Sequence, residues 1–315
     1  MVYLIVLIAL LCLGIKGYCG KKTSTYVQNV GDSFLLNLTR MLICALIGTA
    51  VILFDSTSGT IHAEGGLLLI CLLSGLSNSM FLIGWILAIQ KNSMVLVDVG
   101  LTVGSLLPAI LCAILFSEAL SGTKLLGYLL IIIATLILSD YSKKALGKPG
   151  VSGIVFLVLA ALGDGLTGFS QQLYKQFYTP AGNYSVASYP VSLYHFYTYV
   201  FAALILLLIW LIYFISIRKK RNQEKCSAGN PFAALRPSFP YIVVMAICLF
   251  AANHLQTIAT SDYGMPSQVL YPLIKGGCLI TVNITAMLFF GEKASKRSIL
   301  GSFIALLGIL VLNIF

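Results

Sequence analysis

Charge is scarce in this sequence. Only 10% of its 315 residues are charged and 59% are hydrophobic, which gives a mean hydropathy of +0.97. Soluble domains carry about 25% charged residues, so the composition excludes a chain made mainly of water-soluble domains and indicates a protein whose main solvent is lipid. Weakly alternating segments of about ten residues, which are typical of transmembrane barrels, are also absent. We therefore expect membrane-spanning helices.

Catalytic and metal-binding motifs are lacking too. The sequence contains no GxSxG, HExxH or P-loop pattern and no paired aspartates of the glycosyl- or phosphotransferase type. Its eight cysteines form no CxxC pair, and a cysteine inside an apolar segment is ordinarily a small buried hydrophobe. These absences predict a protein that is not an enzyme, holds no metal and no cofactor, and hydrolyses no ATP itself.

Long apolar segments are what the sequence does have. A helix needs about 20 apolar residues to cross a bilayer core, and ten segments come close to that length. The first is interpreted as an uncleaved span, because its lysines follow the apolar run and a signal peptide has them before it. The sequence predicts an all-α integral membrane protein with ten transmembrane helices, which we expect in the plasma (cytoplasmic) membrane. The predicted spans cover residues 2–18, 33–54, 65–90, 95–116, 124–141, 151–177, 189–217, 239–261, 267–290 and 298–315.

Lysine and arginine are distributed unevenly between the two sides of these predicted spans. Connections on one side contain fifteen of the 20, and those on the other contain only Lys124 and Lys175. Because positively charged connections stay in the cytoplasm, both termini are predicted to lie outside. The run from Arg218 to Lys225 could bind nucleic acid or anionic lipid headgroups, but we interpret it as a determinant of topology and expect the lipid bilayer, and no nucleic acid, as a partner. The fifteen residues are Lys21, Lys22, Lys91, Lys143, Lys144, Lys148, Arg218, Lys219, Lys220, Arg221, Lys225, Arg236, Lys293, Lys296 and Arg297.

The two halves of the chain resemble each other. Glu118 is followed nine residues later by Gly127, and Glu292 is followed nine residues later by Gly301, at an offset of 174 residues. The first spans of the halves also match, "GIKGYC" against "GLTGFS". Because five spans are an odd number, a duplicated half is inserted upside down. The sequence thus predicts two inverted five-helix repeats, residues 1–144 and 145–315, an arrangement that recurs in secondary transporters.

These residues resemble the EamA-like branch of the drug/metabolite transporter superfamily. The stretch "YPLIKGGCLITVNITAMLFFGEKASKRSILG" and Arg40 early in the second span carry it as well, and the resemblance covers essentially the whole chain and is sharpest over residues 271–315 and 101–138. It implies ten helices around a substrate cavity between the halves, and export or exchange of small polar metabolites, sometimes against protons. The chain departs from the family pattern in two ways. Ser105 and Leu279 stand where many members have a proline, and family members commonly keep both termini in the cytoplasm.

The repeated glutamates and glycines have a structural interpretation. A glutamate just before a helix favours the positive end of the helix dipole, and a glycine lets two helices approach closely. We therefore predict that Glu118, Gly127, Glu292 and Gly301 form the turn into the last helix of each half and have no chemical role.

Two ionisable residues lie deep in apolar spans and are the foremost candidates for substrate binding. A charge at the bilayer centre costs about 2.5–3.5 kcal/mol on insertion scales, so such residues are functional candidates by default. Lys275 lies in the middle of the ninth span beside Pro272 and Gly276, where we expect the helix to be broken. Asp164 lies in the middle of the sixth span, and could pair with Lys275, bind a proton, or remain neutral by desolvation.

Further polar residues within the spans complete the candidate set. His254 and Asn253 form a polar cluster, Asn78 lies among three serines, and Gln268 begins the ninth span; we expect these four in the substrate site, although buried packing roles explain them as well. Three charged residues, Arg40, Asp98 and Lys16, are candidates for gating or charge pairing, and we expect them near enough to the cytoplasmic side to reach headgroup water. His195 is interpreted as part of an interfacial aromatic belt.

The leading hypothesis is a secondary transporter that moves a small polar metabolite by alternating access, driven by a gradient or by exchange. Coupling to protons or to a counter-substrate, and a homodimer, are compatible with this hypothesis. A flippase for a lipid-linked or amphipathic molecule is an alternative and requires a lateral opening between helices. A non-transporting membrane receptor or assembly subunit is an alternative of another class, but sensing needs no inverted symmetry.

Overall fold

The computed structural model describes residues 1–54, 62–91, 94–116, 122–146, 150–224, 232, 234–290 and 296–314, apart from some side chains within helices. In these ranges the chain forms eleven α-helices and no strand, as the all-α prediction requires. The helices are α1 (Val2–Ser24), α2 (Val30–Phe54), α3 (Gly65–Lys91), α4 (Met94–Gly104), α5 (Leu106–Phe116), α6 (Gly122–Leu146), α7 (Val151–Tyr178), α8 (Val191–Glu224), α9 (Leu235–Ser261), α10 (Ser267–Phe290) and α11 (Lys296–Ile314).

Six of these helices are long and apolar enough to cross a membrane. They lie within α1, α2, α3, α7, α8 and α9, and each has at least 23 residues. Their outer faces are apolar. On α1, for example, Leu4, Leu7, Leu11 and Ile15 recur every three or four residues and are all exposed, which is the spacing of one helical face. An exposed leucine face of this kind is suited to lipid, and the chain is a membrane protein.

The fourth predicted span is divided in two. A single helix was expected over residues 95–116, but α4 ends at Gly104 and α5 begins at Leu106, with Ser105 in a turn between them. Pro108 accounts for the break, because a proline nitrogen has no hydrogen to donate to the carbonyl four residues earlier, here that of Gly104. At the turn itself, the Ser105 hydroxyl donates a hydrogen bond of 2.7 Å to the carbonyl oxygen of Thr102.

The ninth predicted span is less interrupted than we expected. We expected a broken helix near Lys275, yet α10 is continuous from Ser267 to Phe290. Pro272 is the sixth residue of the helix, so the single backbone bond that it removes, to the carbonyl of Gln268, belongs to the first turn. At Gly277 the side chain of Leu10 from α1 lies where a Cβ atom would stand, 2.7 Å from its Cδ2, so this glycine admits a neighbouring helix and does not interrupt its own.

Helices α3 and α7 pack with their backbones in contact, and this packing brings polar residues of the two helices together. A Cβ atom on Gly163 of α7 would lie 2.3 Å from the backbone nitrogen of Phe81 on α3, and one on Gly84 would lie 2.6 Å from the backbone nitrogen of Ala160. Only glycine allows so close an approach. As a result Asn78 of α3 and Asp164 of α7 reach the same space.

The remaining contacts join distant parts of the chain. Helix α1 packs against α9 and α10, α2 against α8 and α9, and α3 against α7 and α8. Helices α6 and α11 pack against each other, and a Cβ atom on Gly308 would lie 2.9 Å from the carbonyl oxygen of Gly127. Helix α8 is the longest, with 34 residues. Its apolar part ends at Ser216, and its backbone continues as helix through the basic residues that follow.

Candidate functional site

A cavity lies at the centre of the bundle, where α1, α3, α5, α7, α9 and α10 converge. Its volume is about 30 Å³, which is room for one or two water molecules. Its wall combines apolar, hydroxyl, amide and charged side chains. The lining residues are Leu13, Lys16, Asn78, Phe81, Ser105, Pro108, Asp164, Thr167, Gly168, Gln171, Leu249, Asn253, Gln256, Tyr271 and Lys275. Five of the candidates from the sequence therefore meet here: Lys275, Asp164, Asn253, Asn78 and Lys16.

Lys275 and Asp164 form an ion pair in the wall of the cavity. The Nζ atom of Lys275 on α10 lies 2.7 Å from Oδ1 and 2.6 Å from Oδ2 of Asp164 on α7. Both side chains are 14% exposed. Of the three possibilities open for Asp164, the structure has the charge pair. A buried pair of this kind offsets two desolvated charges against each other, so these two residues together add no net charge to the cavity.

Lys16 of α1 lines the same cavity, in contact with two aromatic rings. Its Nζ atom is 4.9 Å from the ring centre of Phe81 and 5.1 Å from that of Trp85. The side chain is 7% exposed, so it does not reach headgroup water as we expected. In the described part of the chain it makes no hydrogen bond or ion pair. Each ring contributes on the order of 0.5–2 kcal/mol, which offsets part of the cost of holding the charge inside the membrane.

Arg40 of α2 lies behind this wall and is completely buried, so it too is remote from headgroup water. Its Cζ atom is 5.3 Å from the ring centre of Trp85, and its Nη1 atom donates a long hydrogen bond of 3.5 Å to Oδ1 of Asn37. Among the described residues, its Nε and Nη2 atoms have no hydrogen-bond partner. The neighbourhood of Trp85 therefore contains two cations, Lys16 and Arg40.

Tyr271 organises the wall between α7 and α10. Its hydroxyl lies 2.9 Å from the carbonyl oxygen of Gly168 and 2.9 Å from Oε1 of Gln171, and can donate its proton to one of them at a time. It also accepts a hydrogen bond of 3.3 Å from Nε2 of Gln172. Sequence reasoning missed this cluster. The signal was the Gln171–Gln172 pair in an otherwise apolar span, because adjacent amides there need buried partners.

Asparagines complete the polar wall. Asn253 of α9 donates a hydrogen bond of 3.1 Å to the hydroxyl of Tyr199, and Asn78 of α3 donates one of 3.0 Å to the carbonyl oxygen of Ser74. In each asparagine one amide hydrogen makes this bond, which fixes the orientation of the side chain. The other amide hydrogen and the amide oxygen are not used by it, and both residues line the cavity. The arrangement can bind a polar solute through several hydrogen bonds at once.

Two of the three histidines, His195 and His254, lie outside the lining of the cavity and next to residues that belong to it. His195 is 2% exposed, and its Nε2 atom lies 3.0 Å from the hydroxyl of Thr257. It is therefore a buried residue, and the expectation of an interfacial belt was wrong. His254 packs its ring on Phe250, with 5.5 Å between ring centres, and stands 5.5 Å from the ring of His195.

The other predicted residues lie elsewhere in the fold or outside the described residues. Gly127 and Gly301 are buried in α6 and α11, and each lies five residues after the start of its helix, at Gly122 and at Lys296. Glu118 and Glu292 lie outside the described residues. Gln268 and Asp98 belong to α10 and α4, but their side chains also lie outside the described residues.

Solved structures include proteins of the same fold. One crystal structure matches with a TM-score of 0.70 and covers 98% of this chain and 95% of its own, at 14% sequence identity. At that identity the likeness concerns the fold alone. No family model and no curated protein matches the sequence.

Proposed function

We propose that this protein is a secondary transporter that moves a small polar metabolite across the plasma (cytoplasmic) membrane by alternating access. The observation that carries the proposal is the central cavity, where polar and charged side chains of α1, α3, α5, α7, α9 and α10 converge in a chain whose outer faces suit lipid. Placing polar and charged side chains inside a membrane costs free energy. Binding of a polar solute is a function that explains why they are there. We infer transport driven by a gradient or by exchange.

Ten spans in two inverted repeats are part of this proposal. Span four then consists of α4 and α5, and the halves are residues 1–144 and 145–315. Exchanging the halves maps α1 onto α7, α2 onto α8, α3 onto α9, α4–α5 onto α10, and α6 onto α11. Under this exchange the contact of α1 with α9 corresponds to that of α3 with α7, and the contact of α2 with α9 corresponds to that of α3 with α8.

The other contacts between helices are also related in pairs by the exchange of the two halves. Helix α10 packs on α11 as α4 packs on α6, and α1 packs on α10 as α4 and α5 pack on α7. The contact of α2 with α8 and that of α6 with α11 are each mapped onto themselves by the exchange, so they also agree with it. A duplicated chain with an odd number of spans per half gives this pattern. The pattern supports transport, because two halves that can exchange conformations give an outward-open and an inward-open state.

The size of the cavity also fits an alternating-access cycle. At about 30 Å³ it is too small for a metabolite, since ligand pockets usually measure about 300–1,000 Å³. Entry of a substrate thus requires the helices around Lys275 and Asp164 to separate on one side. We interpret this narrow conformation as an intermediate between two states in which the cavity is wide enough for a substrate.

Counterflow in proteoliposomes tests the proposal. Vesicles loaded with a high concentration of one unlabelled metabolite accumulate the labelled form from outside only if the protein exchanges it. We expect saturable accumulation for at least one class in a panel of amino acids, organic acids, sugars and sugar phosphates. Vesicles with the Gly163→Leu variant, in which α3 and α7 cannot pack, are the matched negative control. Labelled lipid that changes leaflet, with no metabolite exchanged, would contradict the proposal and favour the flippase.

A further inference from the structure

Among the side chains that the structure describes, the charges around the cavity do not balance. Lys16 is close enough to Lys275, Arg40 and Asp164 to be affected electrostatically by all three. These groups comprise three cations and one carboxylate. Asp164 is bound by Lys275 at 2.6 Å, and this leaves the positive charges of Lys16 and Arg40 in excess.

Lys16 is the member of this group that a ligand can reach. It lines the cavity, and Arg40 lies behind the wall with no exposure. An ammonium group has three hydrogens to donate, and in the described part of the chain none of those on Lys16 is received by an oxygen. The faces of Phe81 and Trp85 attract the charge, but they do not replace an oxygen acceptor. The site is thus built for a negatively charged oxygen that comes from outside the chain.

We propose that the substrate carries an oxyanion, a carboxylate or a phosphate, and that Lys16 binds it. This inference rests on the proposed function and names the class of substrate for the same cavity. It assigns the anion to Lys16 and not to Lys275, whose ammonium is paired with Asp164. Asn78 and Asn253 line the same cavity and offer their amide groups to the polar groups on the rest of the substrate. Arg40 adds to the positive potential from behind Trp85.

The position of Trp85 provides a direct measurement. Its ring lies 5.1 Å from the Lys16 ammonium, and a neutralised charge at that distance changes indole fluorescence. The sequence has two tryptophans, and the second, Trp210, stacks on Phe214 within α8. The Trp210→Phe variant therefore leaves Trp85 as the sole reporter. We would titrate this variant in detergent with acetate and with inorganic phosphate, at an ionic strength held constant with sodium chloride.

We expect a saturable change in Trp85 emission with at least one of the two anions. Adding Lys16→Met should weaken that binding by at least tenfold. Adding Lys91→Met instead, which removes the same charge from the exposed end of α3, should leave it unchanged. The absence of a saturable change with either anion, or binding that Lys16→Met leaves intact, would overturn the inference. A signal that grows linearly with salt in all variants would do the same.

Thermal stability separates ligand binding from a structural role. Lys16→Met removes a buried charge that has no oxygen partner, so its melting temperature should equal or exceed that of the parent protein. A fall of several degrees together with lost binding would mean that the lysine only supports the fold.

Counterflow is a separate readout. Anion binding by Lys16 without any metabolite exchange would refute the proposed function alone, and exchange at parental rate and KM by Lys16→Met would refute this inference alone.

Discussion

Lys275 and Asp164 connect two helices across 111 residues of sequence, with a hydrogen bond of 2.7 Å between ammonium and carboxylate. Their pairing makes α7 and α10 one unit on one wall of the cavity. It also means that neither residue can be changed alone without leaving a charge uncompensated.

Breaking this pair should destabilise the protein, and removing both charges should restore it. Losing one partner of a buried ion pair costs about 3–5 kcal/mol, whereas replacing both is often nearly neutral. We expect Lys275→Met and Asp164→Asn each to lower the melting temperature in detergent, and the double variant to recover most of the loss. Lys296→Met, at an exposed residue of α11, is the control and should melt like the parent. A double variant as unstable as the worse single one would show that the two residues act independently.

Gly163 should not tolerate a side chain. A Cβ atom there would lie 2.3 Å from the nitrogen of Phe81 and 2.7 Å from the carbonyl oxygen of Ser77, and both are backbone atoms that cannot rotate away. Overpacking of this kind costs about 1–3 kcal/mol, so Gly163→Ala should lower the melting temperature. Gly65→Ala is the matched control, because nothing lies within 4 Å of its Cβ position. Equal melting temperatures for both would contradict the close packing of α3 and α7.

Both termini should lie outside the cytoplasm. The prediction follows from the excess of lysine and arginine on one side of the spans. A fluorescent reporter that folds only in the cytoplasm should stay dark when fused after Phe315, and should be bright when fused to a chain that ends after Lys225. Bright signal from the first fusion, with comparable expression, would reverse the orientation.

The turns at Glu118 and Glu292 should lie on opposite sides of the membrane if the halves are inverted. With termini outside, the first turn is external and the second cytoplasmic. Glu118→Cys should react in intact cells with a maleimide that cannot cross the membrane, and Glu292→Cys should react only after the cells are opened. The unsubstituted chain, with its own cysteines, gives the background. Labelling of both variants in intact cells would count against the duplication.

Sequence reasoning found the charged residues and the asparagines of the cavity, but it missed Gln171 and Tyr271. Lys275, Asp164 and Asn253 were predictable because such groups are costly in an apolar span and need a reason to be there. Tyr271 was not, since a tyrosine is common both in packed interiors and near membrane surfaces.

The direction in which each helix faces could not be predicted at all. In a soluble protein an apolar stripe marks the buried side of a helix, but lipid accepts apolar residues on the outer side as well. Arg40 illustrates the difficulty. Its distance along α2 was compatible with access to headgroup water, and only the packing of α2 against its neighbours shows that it is buried.

Helix α8 also limits the thickness of membrane that this protein can occupy. Its apolar part, Val191–Ser216, has 26 residues and so measures about 39 Å at 1.5 Å per residue. Arg218 follows at once, and a charged residue drawn into hydrocarbon is penalised. Bilayers with cores of about 30 Å fit with some tilt, but a core thicker than about 39 Å would pull the basic end of α8 into lipid. The length of the apolar part of α8 therefore favours membranes whose hydrocarbon core is no thicker than about 39 Å.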